Sequence, residues 1–320
     1  MRYGFPYRGS KNKIAESIIN LFPKADKFYD LFAGGGAITH CALLSDKFNH
    51  IIMNDINSQC VSLFKDIVDG NLPDRDRFIS REEFFKYKEE KPFIKYFWSF
   101  GSNGFEYIYG SNLENYKRVW HNAIYNSEYE EAKRLLSPDI ECIDGETDIY
   151  KKYLLSKKFV KFKSLQPLDD TNGVFRLAHL EREYRLQHIE RTINIVKDFY
   201  KLKNLPIEYN SKSYDEIEIS ENSIIYCDIP YANSESYDCR NKNTFTYDKF
   251  YDWCLKQDSL VFVSEYNMPE SEFIPIWEKC KTSSFSATNN SLKTIEKVFI
   301  PKHQKDKYFK SLNDSQHNLF

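Results

Sequence analysis

Lys27-Phe28-Tyr29-Asp30-Leu31-Phe32-Ala33-Gly34-Gly35-Gly36-Ala37 is the stretch on which the fold turns. Lys27 to Phe32 is a short apolar run that ends in a glycine turn. Ala37 to Leu44 then reads as a helix, and His50 to Asn54 as a second buried strand. Strand, helix and strand at this spacing mark a parallel α/β sheet. Upstream, Ser10 is placed to cap a helix from Lys11 to Leu21, with Ile14, Ile18 and Leu21 on one face.

From about Asn71 the texture changes: charge rises, apolar runs shorten, and Pro73, Pro92, Pro138 and Pro167 punctuate the chain. Leu186, Ile189, Ile193, Val196 and Tyr200 follow helical spacing and predict an amphipathic helix. Strand patterns return at Leu205 to Tyr209, Ser223 to Cys227, Ser259 to Ser264 and Thr294 to Ile300. The chain is expected to leave a sheet, build something else, and come back to finish the sheet. The expected division is a discontinuous sheet domain, 1–70 with 200–320, and an insert, 71–199.

Three local patterns carry chemistry. Glycines between a strand and a helix allow positive φ and present free backbone N–H groups to a nucleotide-like ligand. Asp55 follows Gly36 by 19 residues, at the end of the next strand. An acid there can accept hydrogen bonds from a ribose diol, or it can cap the helix that follows. Asp228-Ile229-Pro230-Tyr231 directly follows the strand Ser223 to Cys227. An exocyclic amino group is a poor nucleophile because its lone pair is delocalised into the ring. Two acceptors aimed at its N–H bonds would localise that pair. Asp228 and the carbonyl of Ile229, restricted by Pro230, can serve. Tyr231 offers a flat face to a base taken out of the duplex. Read alone, the same residues also suit a strand that ends in a turn.

Composition sets the limits. The 320 residues are 41% hydrophobic and 29% charged, enough for a sizeable core. The net charge of -2 means that a nucleic-acid partner would need a local positive surface. Aromatics reach 16%, which suits stacking on flat ligands and equally suits an A·T-rich source genome. The seven cysteines form no CxxC pair, which argues against a zinc site or a disulfide framework. No apolar signal segment or membrane-length run is present. The expectation is a soluble cytoplasmic protein with reduced thiols, a monomer or weak dimer.

Taken in order, these motifs resemble the Dam-like (D12 class) DNA adenine-N6 methyltransferases. The matching stretches are Tyr7-Arg8-Gly9-Ser10-Lys11, Phe32-Ala33-Gly34-Gly35-Gly36 (family F-x-G-x-G), Asn54-Asp55, and Asp228-Ile229-Pro230-Tyr231 (family D-P-P-Y). Val263 to Pro269 and Thr294 to Phe299 also look like phage and bacterial members. The resemblance covers both ends well and the middle poorly. Ile229 replaces the first proline of the tetrapeptide, which leaves the carbonyl in place.

The resemblance implies an α/β fold, a Rossmann-like S-adenosylmethionine-dependent sheet with an inserted, mainly helical target-recognition domain. It implies S-adenosyl-L-methionine as cofactor and double-stranded DNA as substrate, with no metal and no membrane. Tyr7, Lys11, Asp30, Phe32, Gly34, Gly36, Asp55, Ser213, Tyr214 and Asp228 would line the cofactor; Asp228, Ile229, Pro230 and Tyr231 would be catalytic. Transfer would be direct and in line. No cysteine is expected to attack the base, because the chain has no Pro-Cys step.

DNA reading would fall to the insert. Gly101-Ser102-Asn103-Gly104 resembles the family loop near the flipped base, with Asn103 suited to a base edge or to a plain turn. Lys117 and Arg118 are candidate contacts, as are Lys157 and Lys158. Lys151 to Lys203 holds 13 basic and 6 acidic residues, a local excess of +7, which is a duplex footprint or a solvated face. Cytosine-N4 or RNA amino methylation, or a catalytically silent DNA-binding homologue, are the alternatives. The recognition site stays open, as does a solitary, restriction-modification or phage setting.

Overall fold

The computed structural model describes residues 3–160, 185–230, 245–282 and 293–317. The strands are β1 (Ala25–Asp30), β2 (Phe48–Asn54), β3 (Ile207–Asn210), β4 (Ile224–Asp228), β5 (Leu260–Glu265), β6 (Phe273–Thr282) and β7 (Lys293–Pro301). They form one sheet in the order β3-β2-β1-β4-β5-β7-β6. β1 to β5 are parallel, and β7 runs antiparallel to β5 and β6. The expected Rossmann-like α/β sheet is present, mainly parallel and closed by one reversed strand.

The chain divides into two compact units. One comprises Met1–Gly4, Gly9–Lys65 and Leu202–Phe320; the other comprises Phe5–Arg8 and Asp66–Lys201. In the first, the sheet is buried on both faces, as parallel sheets usually are. Tyr29, Leu31, Ile225, Cys227, Ile229, Val261, Val263 and Phe299 pack on one face against Phe250 and Cys254 of a helix at Tyr247–Leu255. On the other face the Phe22 ring meets Phe28, Tyr226 and Phe262 at 5.6, 5.9 and 4.5 Å. Alternation along the strands puts Asp30 and Asp228 on this second face, with Phe28 and Tyr226.

The chain leaves β1 towards β2 and β3, then returns to lay β4 and β5 on its other side. That reversal makes the carboxyl ends of β1 and β4 a topological switch point, where open α/β sheets form a ligand crevice.

The first helix departs from expectation. Helix α1 covers only Ala15–Ile19, and its N-cap position is Ile14. Ser10 does not cap it: its hydroxyl is buried with no hydrogen-bond partner. Lys11 and the residues after it form turns instead, and Lys11 carries its ammonium to the sheet. Helix α2 (Ala37–Leu43) agrees with its sequence pattern and is buried throughout. The sequence reading had no account of β6 or of the last helix, Lys305–His317.

The second unit is built from helices among its described residues, with one isolated bridge between Ser99 and Tyr107. Two of its helices start with strong local signals. Ser80 and Glu83 form a capping box ahead of Arg81–Tyr87. Pro92 opens Pro92–Phe97, where a missing N–H costs nothing. The core gathers Val119, Trp120, Ala123 and Ile124 with Leu136, Ile140, Ile143 and Tyr153. Leu186 and Ile189 join it and Ile193 packs against it, as the amphipathic pattern requires. The side chains of Val196 and Tyr200 lie outside the described residues.

Candidate active site

The glycine turn runs from the end of β1 into α2. Gly36 has φ of 67°, and a Cβ there would fall 2.3 Å from the Phe64 ring, so the position requires glycine. The Gly34 amide donates to Asp55 Oδ2 at 2.7 Å, and the Asn57 amide donates to Oδ1 at 2.8 Å. Asp55 is thus tied to the turn from the end of β2. Each of its oxygens keeps a further lone pair with which to accept from a diol. The neighbouring Asn54 is buried. Its side chain donates to the carbonyls of Leu31 at 3.0 Å and Lys212 at 3.1 Å, and accepts the Lys212 N–H at 3.0 Å. One asparagine therefore binds the ends of β1 and β2 to the loop after β3.

Asp30 is buried. Its Oδ2 accepts the Thr39 amide at 3.0 Å and the Thr39 hydroxyl at 2.6 Å. Its Oδ1 is buried with no hydrogen-bond partner. Burial pushes the Asp30 carboxyl up to about 7; the Thr39 bonds oppose the rise, and the charges of Asp228 and Asp55 add to it. Burial also raises Asp55, against the pull of the Asn57 and Gly34 amides.

Asp228 ends β4. Lys11 Nζ donates to both its oxygens, at 2.6 and 2.8 Å, and lies 3.3 Å from Glu296 Oε1. Burial lowers the Lys11 pKa, but Asp228 and Glu296 outweigh it and hold the ammonium above the ordinary lysine value. Ile229 is buried in the core beside the sheet. The Pro230 carbonyl accepts the Tyr247 hydroxyl at 2.9 Å, which fixes the chain just past Asp228. Tyr231 lies outside the described residues.

The remaining cofactor candidates are more dispersed. Phe32 and Tyr214 stack at 5.5 Å within an aromatic group that includes Phe245 and Phe250. Ser213 starts a short 3-10 turn: its N–H bonds Glu216 at 2.9 Å and its hydroxyl bonds Asp215. Tyr7 belongs to the other unit, against Phe5 at 6.1 Å and Tyr96 at 5.4 Å.

Among the DNA candidates, Lys117 requires correction. It is fully buried, donates to the Arg185 carbonyl at 3.0 Å, and sits 5.5 Å from the Tyr109 and Trp120 rings. Its place in the core of the second unit rules out a phosphate contact. Arg118 is half-buried and pairs with Glu131 at 3.1 Å. The Asn103 side-chain oxygen accepts the Phe105 amide at 2.8 Å, so part of its capacity closes a turn. Lys157 and Lys158 are exposed.

Sequence reasoning assigned no role to Glu296, Tyr247 or the Asn54 side chain. Glu296 left a signal, an acid in phase with Val298 and Ile300 along the terminal strand. Tyr247 left none, since its contact depends on how a helix packs.

Among the described residues no helix is long and apolar enough to cross a membrane. No curated protein matches the chain. Residues 7–298 match the family described as D12 class N6 adenine-specific DNA methyltransferase. Such a family acts on DNA and requires a methyl donor. The chain therefore belongs to the D12 class N6 adenine-specific DNA methyltransferases, and is an enzyme of adenine-N6 methylation of DNA.

Proposed function

We propose that this enzyme transfers a methyl group from S-adenosyl-L-methionine to the N6 amino group of an adenine flipped out of duplex DNA, by direct in-line transfer. The observation that carries the reading is the set of acids at the switch point: Asp55 directly follows β2, and Asp30 and Asp228 end the neighbouring strands β1 and β4. A buried Asp30 oxygen with no hydrogen-bond partner, beside two more carboxylates, suits a ligand that carries ammonium and sulfonium charges. The glycine turn suits close approach of that ligand to the backbone. The residues fit the cofactor.

When bound, the cofactor supplies an electrophilic methyl group. In this reading Asp55 accepts from the ribose hydroxyls, Asp30 faces a cationic group, and Phe32, Gly34 and Tyr214 line the remainder, with Lys11 towards the methionine end. Asp228 and the Ile229 carbonyl accept the two amino hydrogens, localise the lone pair on N6 and take up the developing positive charge. Tyr231 stacks on the flipped base. The surplus proton leaves after transfer. Positioning and electrostatics carry the rate, without a covalent intermediate. The second unit reads the target, with Asn103, Arg118, Lys157 and Lys158 as the contacts.

The test is single-molecule sequencing of host DNA after expression. The expected result is N6-methyladenine in one defined sequence context. N4-methylcytosine, or unmodified DNA, would overturn the reading.

A further inference from the structure

Strand alternation brings one more acid to the face that carries Asp228. Asp228 is level with Ser264 of β5, and Ser264 is level with Val298 of β7. The Tyr226 and Ser264 hydroxyls, 2.7 Å apart, mark this shared face. Two residues before Val298, Glu296 points the same way. It is 1% exposed, and its Oε1 lies 3.3 Å from Lys11 Nζ. One buried ammonium thus stands between carboxylates on β4 and β7.

That arrangement sets a problem for the reaction. Lys11 donates to both Asp228 oxygens, at 2.6 and 2.8 Å; a lone pair remains on each, but an oxygen that already accepts from a cation is a weaker acceptor for the amino group. A buried ammonium does not leave its partner unless another negative group receives it, because an unpaired buried charge is strongly disfavoured.

We propose that Glu296 is a positioning residue that takes over the Lys11 ammonium as the target amino group docks, so that Asp228 becomes a full-strength acceptor while the charge stays paired. This rests on the reading of Asp228 as the amino-group acceptor. Only hydrogen bonds shift: no covalent bond forms or breaks, and one ammonium faces two carboxylates before and after. The strand bearing Glu296 then belongs to the catalytic machinery, although Glu296 itself touches no substrate.

The test uses the duplex identified by sequencing, with either adenine or an abasic site at the target, in the presence of S-adenosylhomocysteine. Nothing competes for Asp228 in the abasic duplex, so that arm controls for folding and general DNA contact. Glu296→Gln is expected to lower the preference for adenine over abasic DNA by about tenfold or more, the scale of a lost hydrogen bond to a charged group. Affinity for S-adenosylhomocysteine should change less than the adenine preference does, because Glu296 reaches the cofactor side only through Lys11. Glu296→Asp, which keeps the charge, should retain most of the preference. In a Lys11→Met background, Glu296→Gln should add no further loss. An unchanged preference would overturn the proposal. So would an equal loss in the Lys11→Met background, or a parallel loss of S-adenosylhomocysteine affinity. Absence of methyladenine in host DNA overturns the functional reading instead, and is seen before any variant is made.

Discussion

Asp55 Oδ2 accepts the Gly34 amide hydrogen at 2.7 Å, so the acid that follows β2 holds the turn that follows β1. Two sequence motifs thereby act as one structural piece. The same carboxylate takes the Asn57 amide on its other oxygen. Asp55→Ala releases both amides and removes the acceptor for the ribose. Affinity for S-adenosylhomocysteine should fall about tenfold to a hundredfold by calorimetric titration. Asp55→Asn keeps one acceptor oxygen and should fall between the two. An Asp55→Ala protein with wild-type affinity would remove Asp55 from the cofactor site.

Asp30 makes cofactor binding pH-dependent in a defined direction. Its carboxyl is raised to about 7, against an ordinary aspartate value of about 3.9. In the free protein the folded state therefore holds this proton more tightly than the unfolded state. Stability from this group is highest below about 4 and declines as pH rises through about 7. A cationic ligand needs the ionised form. Its affinity should rise with pH up to about 7 and level off above. Asp30→Asn, neutral at every pH, should flatten that rise and lower the plateau. Titration with S-adenosylhomocysteine between about pH 5.5 and about pH 8, which brackets the raised carboxyl, measures both. An affinity that falls with rising pH would contradict the assignment.

Much of this site was legible in the sequence because it obeys local rules. Glycines after β1, an acid after β2 and a tetrapeptide after β4 are strand-end features, and strand ends at a switch point meet in space. What stayed hidden depends on which face a side chain takes. Lys11 was expected on a helix, yet it leaves the chain ahead of α1 to reach Asp228, and the helix starts at Ala15. Glu296 comes level with that pair only through the register of β7 on β5. Lys117 looked like a surface cation because Tyr116-Lys117-Arg118 is polar in sequence. Its helix instead turns it inward beside Trp120, three residues on, onto the carbonyl of Arg185. Periodicity marks which residues share a helix face. It does not say whether a lysine on that face finds a buried acceptor.

Asp228 has separable duties. It accepts from Lys11 now, and in the proposed reaction it accepts from the amino group. Asp228→Ala should reduce methylation to background while cofactor affinity stays largely intact, since the turn and Asp55 are untouched. Lys11 then keeps Glu296 as a partner at 3.3 Å, which limits the loss of stability. Methyl transfer from labelled cofactor to the target duplex, run beside a cofactor titration, separates the two. An active Asp228→Ala enzyme would sink the two-acceptor mechanism.

The basic residues of the second unit should split into two classes. Lys117 is buried, so Lys117→Met strands the Arg185 carbonyl and should cost about 1–3 kcal/mol of stability. Its effect on DNA affinity at a temperature where the protein is folded should be small, and the salt dependence should not change. Lys157 and Lys158 are exposed. Reversing both to Glu should leave stability nearly unaltered. It should weaken duplex binding and reduce the slope of log affinity against log salt by about 1 for each lysine that touches a phosphate. Thermal unfolding and salt-dependent binding on the same three proteins distinguish the classes. Unchanged binding in the Lys157→Glu, Lys158→Glu protein would move the duplex to another face, and the excess of positive charge around Lys151 would then be a solvated surface.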